Sequence, residues 1–244
     1  MLAESRLDGR GHRVPRATST HIADLVAAVA AGDAAGGATR LWATAATLGT
    51  PLVEPLGDDD SDGFVAVTFL WRAAAGTTPP LVLANKLHDR SDPDGSAMDH
   101  VPGTDVWHLT YRLPADWRGS YVIDADGHRP DPLCHATIGV DAQVRSLAEL
   151  PDAPAQPYLA PCPGVPRGTV SEHTVAGRRV WRYLPPVASD RPLPLLVILD
   201  GDLWSGELGL ATTLDNLIAD GVVPPVAAAM VACGEGPART TLLS

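Results

Sequence analysis

From Phe64 onward the hydrophobic period of this 244-residue chain changes from 3.6 residues to 2, and that switch limits the folds open to it. In FVAVTFLW, Val65, Val67, Phe69 and Trp71 share one face of an extended chain. In DVWHLTYRL, Trp107, Leu109, Tyr111 and Leu113 alternate with Val106, His108, Thr110 and Arg112. Successive side chains of a strand point to opposite faces, so each run presents one face to a core. PLVLANKL and GSYVIDA supply partner strands. Short strands separated by Pro, Gly and Asp turns predict a small β-sandwich over about residues 62–128.

Ahead of that region the period is helical. Ile22, Leu25, Val26 and Val29 fall at i, i+3, i+4 and i+7, which predicts a helix over residues 20–31 ended by Gly32. A second, short helix is expected over residues 40–48, ending at Gly49. Residues 1–17 are polar and basic without any period and are expected to be disordered, so the helical lead-in and sandwich occupy residues 18–130.

After residue 130 prolines crowd the chain, in RPDPLCHA and PDAPAQPYLAPCPGVPRG. Proline fixes φ and lacks an amide donor, so residues 131–168 read as a semi-rigid connector. From residue 169 the pattern changes again. GRRVWRYLPP reads as a strand, and PLLVILD is apolar on both faces, as in a parallel sheet covered on two sides. Residues 205–220 read as a helix with a Leu210, Leu214, Leu217, Ile218 stripe and Gly221 beyond its end; PVAAAMVAC is a further strand. Strand, helix and strand at these lengths make a β-α-β unit. Residues 169–244 thus read as the start of an α/β domain, with fewer strands than such a sheet needs.

Charge restricts the partners. Eighteen Lys and Arg against 29 Asp and Glu give a net charge of −11, with no basic stripe for nucleic acid. An acidic chain repels anions at long range, so an anionic ligand would need local Arg or Lys. No apolar run reaches about 18 residues, so no membrane helix is expected. MLAESRLDGRGHRVPR has no apolar stretch of the secretory kind, and a cytoplasmic location is expected. Cys134, Cys162 and Cys233 lie far apart and form no C-x-x-C pair, which suggests isolated thiols.

DDDSDG at 58–63 begins like a calcium loop, but its twelfth position is Phe69 where a Glu is needed, so it reads as an acidic loop. HRPDPLCH gathers His128, Asp131, Cys134 and His135 at a spacing unlike zinc templates and reads as a self-bonded turn. G-x-S-x-G is absent, GTVSE has the wrong spacing, and Ser96 and Ser120 follow glycines beside or within the β-domain. Among the six tryptophans, Trp204 stands out because it lies just past the C-terminal end of a strand, where open α/β sheets place ligands.

Seven segments in order resemble the enterochelin esterase family: GTPLVEP at 49–55, VTFLWR at 67–72, GTDVWHLTYRLPADWRGSYVI at 103–123, DPL at 131–133, LAELPDAPAQPY at 147–158, RRVWRYLPP at 178–186 and LLVILDGDLW at 195–204. The resemblance covers about residues 20–244. It implies a mixed fold: an N-terminal Ig-like β-sandwich followed by the incomplete first part of an α/β-hydrolase domain. It implies hydrolysis, in the cytoplasm, of the ester backbone of a ferric catecholate siderophore. The iron arrives with that substrate, and no cofactor or protein metal site is expected.

Family catalysis uses an elbow serine, a histidine base, an acidic partner and backbone N–H groups that hold the oxyanion. Carried onto this sequence, the Asp200-Gly201-Asp202 turn falls where α/β-hydrolases place the oxyanion loop, so Gly201, Asp202 and Leu203 are its candidates. A plain strand-to-helix turn capped by Asp accounts for the same residue types. Trp204 would flank the catechol rings, with Arg178 and Arg179, and also Arg118 and Arg182, as candidate anion contacts. The elbow serine and catalytic histidine match no position in residues 1–244, and His173 lies ahead of the first clear strand of the region. The chain alone is therefore expected to be inactive. Cys134 stands where the family has asparagine after DPL. The other readings are a siderophore- or partner-binding module without catalysis, and a fragment whose unfinished sheet exposes an edge. A second chain completing the sheet is the further candidate partner.

Overall fold

Ser19 starts the first helix: its side chain accepts the Ile22 amide at 3.3 Å, one of the donors that a helix start leaves unpaired. In this computed structural model, which describes residues 14–57, 63–89, 92–139, 144–187 and 192–234, α1 spans Thr20–Ala30. The second helix, α2, spans Ala34–Leu48 and so begins ahead of the expected Arg40. Asp33 caps it by accepting the Gly36 amide, and Gly49, at φ 81°, ends it. Contacts divide the chain into two units, Met1–Pro154 and Ala155–Ser244.

The first unit holds two sheets. One has the order β1-β2-β5-β4, from β1 (Leu52–Pro55), β2 (Phe64–Arg72), β4 (Asp99–His100) and β5 (Val106–Pro114). The other has the order β3-β6-β9-β8, from β3 (Leu81–Ala84), β6 (Arg118–Asp124), β8 (Thr137–Ile138) and β9 (Arg145–Glu149), with β7 (His128–Arg129) pairing onto β6. Val67, Phe69, Leu109 and Tyr111 of the first sheet share one core with Val82, Tyr121, Ile123 and Ala148 of the second. Phe69 meets Tyr121 edge-on, with ring centroids 4.9 Å apart. The helices cover the other face of β2 and β5, where Ile22, Leu25 and Leu41 pack against Leu70 and Val106. Strand β2 is therefore buried on both sides from Ala66 to Leu70, instead of on the one face that its alternation suggests.

Two expectations change here. Disorder was expected through residue 17, yet residues 15–17 run along β5: Arg112 donates to the Pro15 carbonyl at 2.8 Å and Ala17 to that of Thr110 at 3.1 Å. Residues 131–168 were expected to be a connector, yet β8 and β9 lie inside that span, and β9 pairs with β6 through Ser120↔Leu147 and Gly119↔Ala148. The prolines flank this stretch, and RSLAE itself contains none, so nothing bars it from a ladder. A buried knot holds the entry to it. Tyr121 donates to Asp131 Oδ2 at 2.9 Å, the Leu133 amide to Oδ1 at 3.0 Å, and the Asp131 amide to Ser146 Oγ at 2.7 Å. Burial pushes the Asp131 carboxyl up and, with the nearby carboxylate, the Tyr121 phenol up as well. Residues 58–62 of the acidic DDDSDG loop lie outside the described residues.

The second unit is one four-stranded sheet of order β10-β11-β13-β12, from β10 (Thr169–Val175), β11 (Arg178–Leu184), β12 (Leu195–Leu199) and β13 (Ala227–Val231). Strands β12 and β13 are parallel, and the other pairs are antiparallel. No apolar alternation marks β10, TVSEHTV, which among the described strands pairs only with β11. The helix expected over 205–220 begins only at Leu210, as α4 (Leu210–Ala219); a separate short helix, α3 (Gly201–Ser205), precedes it, with Gly206 and Gly209 between them. Leu210 and Leu214 of α4 pack onto Tyr183, Ala228 and Met230. Asp215 accepts from the Tyr183 hydroxyl at 2.7 Å and the Gly168 amide at 2.9 Å; Asn216 donates to the Tyr158 and Ala160 carbonyls at 2.9 and 2.8 Å. The proline-rich stretch is thus bonded to α4. The opposite face of β12 is bare: Leu195, Val197 and Leu199 are 63%, 58% and 51% exposed.

Candidate functional site

The turn that follows β12 is built on close backbone approach. Asp200 adopts the left-handed conformation, φ 58° and ψ 43°, which costs a non-glycine residue on the order of 1 kcal/mol. Its amide donates to Cys233 Sγ at 3.2 Å, which ties the turn to the chain beyond β13. Gly201 is buried against β13: a Cβ there would lie 2.4 Å from the Met230 carbonyl carbon and oxygen. Only glycine permits that approach. The Asp200 carbonyl accepts from the Leu203 amide at 3.0 Å and the Trp204 amide at 3.2 Å. The Leu203 N–H is therefore engaged, whereas Gly201 and Asp202, the first residues of α3, have N–H groups with no acceptor inside the helix. Trp204 is half-buried and packs against the cluster of Tyr183, Leu210, Leu214 and Met230, so part of its indole is core.

Register places two of the candidate arginines at the same end of the sheet. Leu199 aligns with Val231, Val231 aligns with Val180, and the Ala232 amide donates to the Arg179 carbonyl at 3.0 Å. The start of β11 and the Asp200 turn therefore lie two strand spacings apart, roughly 10 Å. Arg179 stacks over Trp181, 4.7 Å from the ring centroid, and lies 3.9 Å from Glu172. Arg178 is half-buried and also has an interaction partner. Arg182 is exposed on the face opposite Trp181 and Tyr183. Arg118 belongs to the first unit, where it bonds Glu149 and donates to the Pro154 carbonyl at 2.7 Å.

His173 stands within β10, not ahead of the strands, and its Nε2 lies 2.9 Å from Ser171 Oγ. This pair was not legible in the sequence because β10 carries no strand pattern; once the strand exists, its period of 2 puts residues i and i+2 side by side. His173 is exposed, and no carboxylate lies within ion-pair distance of it among the described residues. A triad needs a base oriented by a third group and donors for the oxyanion, and β10 lies at the far edge of the sheet from β12. In HRPDPLCH, Asp131 is committed to the buried knot and His128 lies 3.9 Å from Asp124. No group of three or more His, Cys, Asp or Glu among the described residues is placed to hold a metal ion, and no described helix is long and apolar enough to cross a membrane.

Comparison with known proteins gives these elements their context. The family described as enterochelin esterase, N-terminal, matches residues 66–130. An iron(III) enterobactin esterase of Dickeya dadantii is 31% identical over 253 residues, covering 85% of this chain and 56% of that protein. An iron(III) salmochelin esterase of Escherichia coli O6:H1 is 32% identical over 229 residues, covering 84% and 55%. The chain thus spans about half the length of the curated relatives it matches. The enterobactin esterase of Shigella flexneri, crystallised in the presence of enterobactin, superposes with a TM-score of 0.58 at 25% identity, covering 78% of this chain and 57% of that one. The ferric enterobactin esterase of Salmonella typhimurium shares the fold, with a TM-score of 0.63 over 82% of this chain and 60% of that one. With the family's N-terminal signature in the sandwich and esterase relatives aligned along most of the sequence, the chain belongs to the enterochelin esterase family.

Proposed function

We propose that this chain forms the Ig-like sandwich and the first part of the α/β-hydrolase domain of a cytoplasmic esterase acting on a ferric catecholate siderophore. The observation that carries the reading is the Asp200 turn at the C-terminal end of β12, where Gly201 and Asp202 are the first residues of α3 and their N–H groups have no partner within the helix. Alkoxide attack on an ester carbonyl concentrates charge on its oxygen, and preformed N–H donors in a water-poor site stabilise that charge. Gly201 and Asp202 are the proposed donors; Leu203 holds the turn through its bond to Asp200. The exposed part of Trp204 lies against a catechol ring, and Arg178 and Arg179 draw the anionic substrate to this end of an otherwise acidic chain. Iron is cargo of the substrate.

No elbow serine serves this turn within residues 1–244, and the Ser171–His173 pair sits at the opposite edge of the sheet. The nucleophile and base are therefore proposed to come from further sequence that pairs with β12, in the same polypeptide or in a second chain. Binding without turnover is the alternative, and it rests on the same missing nucleophile. The test is to incubate residues 1–244 with a ferric catecholate trilactone and follow linear products by mass spectrometry, with titration of the same ligand. Binding without hydrolysis is expected. Hydrolysis abolished by Ser171→Ala would overturn the assignment and move the chemistry to β10.

A further inference from the structure

A second concavity lies in the first unit, on the face of the β3-β6-β9 sheet that points away from the sandwich core. Val82, Ala84, Tyr121 and Ile123 point inward, so Leu83, Ser120 and Val122 alternate to the outside, joined there by Arg145 of β9. The turn after β3 adds Asn85, Lys86 and His88, and β7 adds His128. The cavity is about 660 Å³. Among the described residues its lining contains two permanent cations and two imidazoles and no carboxylate, in a chain whose net charge is −11.

The cations are held rather than loose. Arg145 donates through Nε to Ser120 Oγ at 3.2 Å and through Nη2 to the Leu83 carbonyl at 3.1 Å. Both acceptors are neutral, so they fix the guanidinium without cancelling its charge, and its remaining N–H groups make no other bond among the described residues. Lys86 sits at φ 63°, a conformation costly for a side-chain-bearing residue, and has no ion-pair partner among the described residues. The turn that imposes this conformation is fastened by the Leu87 and His88 amides, which donate to the Ala84 carbonyl at 3.1 and 3.0 Å, and by Asn85, which donates to Ser120 at 2.9 Å. His88 Nδ1 is 2.9 Å from Ser96 Oγ, which orients that ring.

We propose that this pocket binds a small phosphorylated organic molecule, with Arg145 and Lys86 on the phosphate and Leu83 and Val122 against its apolar part. A phosphate monoester brings a charge of about −1.5 to −2 and three acceptor oxygens, which matches two cations with several open donors better than a singly charged carboxylate does. The cavity exceeds what bare phosphate fills and falls in the range of roughly 300–1,000 Å³ typical of small-molecule sites. It shares no residue with the esterase turn and does not depend on that assignment.

Titration of the 244-residue chain with phenyl phosphate, inorganic phosphate and benzoate, followed by calorimetry, tests the proposal. Phenyl phosphate should bind with Kd of about 1 mM or tighter. Arg145→Gln should weaken it about tenfold. Lys86→Gly removes the charge while relieving the left-handed strain, so the fold should be as stable as the parent or more so, yet binding should fall about fivefold. Unchanged binding in both variants would place the ligand elsewhere. Benzoate binding as tightly as phenyl phosphate, or no binding of phenyl phosphate at about 10 mM, would overturn the phosphate assignment.

Discussion

Gly201→Ala should destabilise the second unit while sparing the first. The added Cβ would lie 2.4 Å from the Met230 carbonyl and 2.6 Å from the Val231 amide, whereas ordinary contact begins near 3.4 Å. About 1 Å must therefore open between α3 and β13, and the obstructing atoms are backbone, which cannot rotate aside. Overpacking of this kind costs about 1–3 kcal/mol, here at the upper end. Alanine recovers about 1 kcal/mol of helix propensity over glycine, which leaves a net loss of about 2 kcal/mol. In urea that lowers the midpoint of a small unit by about 1–2 M. Hydrogen exchange by mass spectrometry across a urea series reads it directly, with peptides from residues 195–204 and 227–231 reporting the second unit and those from β2 and β5 serving as reference. A shift below about 0.5 kcal/mol, or an equal shift in both units, would refute the packing of α3 on β13.

Glu54 binds the Ser19 hydroxyl at 2.5 Å, the Thr20 amide at 3.0 Å and the Thr20 hydroxyl, so Glu54→Ala should cost the first unit about 2 kcal/mol in urea unfolding. Burial alone would raise the Glu54 pKa, but the Ser19 and Thr20 hydroxyl bonds, nearby His21 and the Thr20 amide together bring it below 4.5. Its contribution is present above about pH 4.5 and is lost as pH falls through the lowered folded value; Glu54→Gln should flatten that acid limb. Asp131 has the opposite sign, since its raised carboxyl favours folding below 3.8 and less as pH rises through the folded value, so Asp131→Asn should flatten the upper limb. Finally, Val197→Lys on the bare face of β12 should reduce self-association of the chain, measured by light scattering after gel filtration. Undiminished association would show that contacts elsewhere drive it.

The strands that were legible in the sequence are those that carry a marked run of apolar residues, although β5 is covered on both faces and β12, expected to be covered on both, is exposed on one. DVWHLTYRL aligns with β5, and LLVIL with β12. What escaped were elements defined by a partner rather than by their own pattern. Strand β10 is polar and exists because β11 pairs with it over seven residues. Strand β9 was hidden among prolines, and the first turns of α2 among glycines, until Ser120–Leu147 pairing and the Asp33 cap supplied what propensity did not. At the site, the glycine-centred turn was visible in LLVILDGDLW, but the engagement of the Leu203 amide by Asp200 depends on the left-handed φ of Asp200, which residue type alone does not specify.

The position of β13 has a consequence for the order of assembly. It is the last strand described, yet it lies between β11 and β12 and supplies Ala228 and Met230 to the core under α4. Until residues 227–231 leave the ribosome, β11 can pair only with β10, and β12 has no neighbour among the described strands on either side. The β10–β11 hairpin can therefore form during synthesis, but β12 stays unpaired among the described strands until β13 arrives. A nascent chain stalled before Ala227 presents Leu195–Leu199 to the chaperones without its β13 partner.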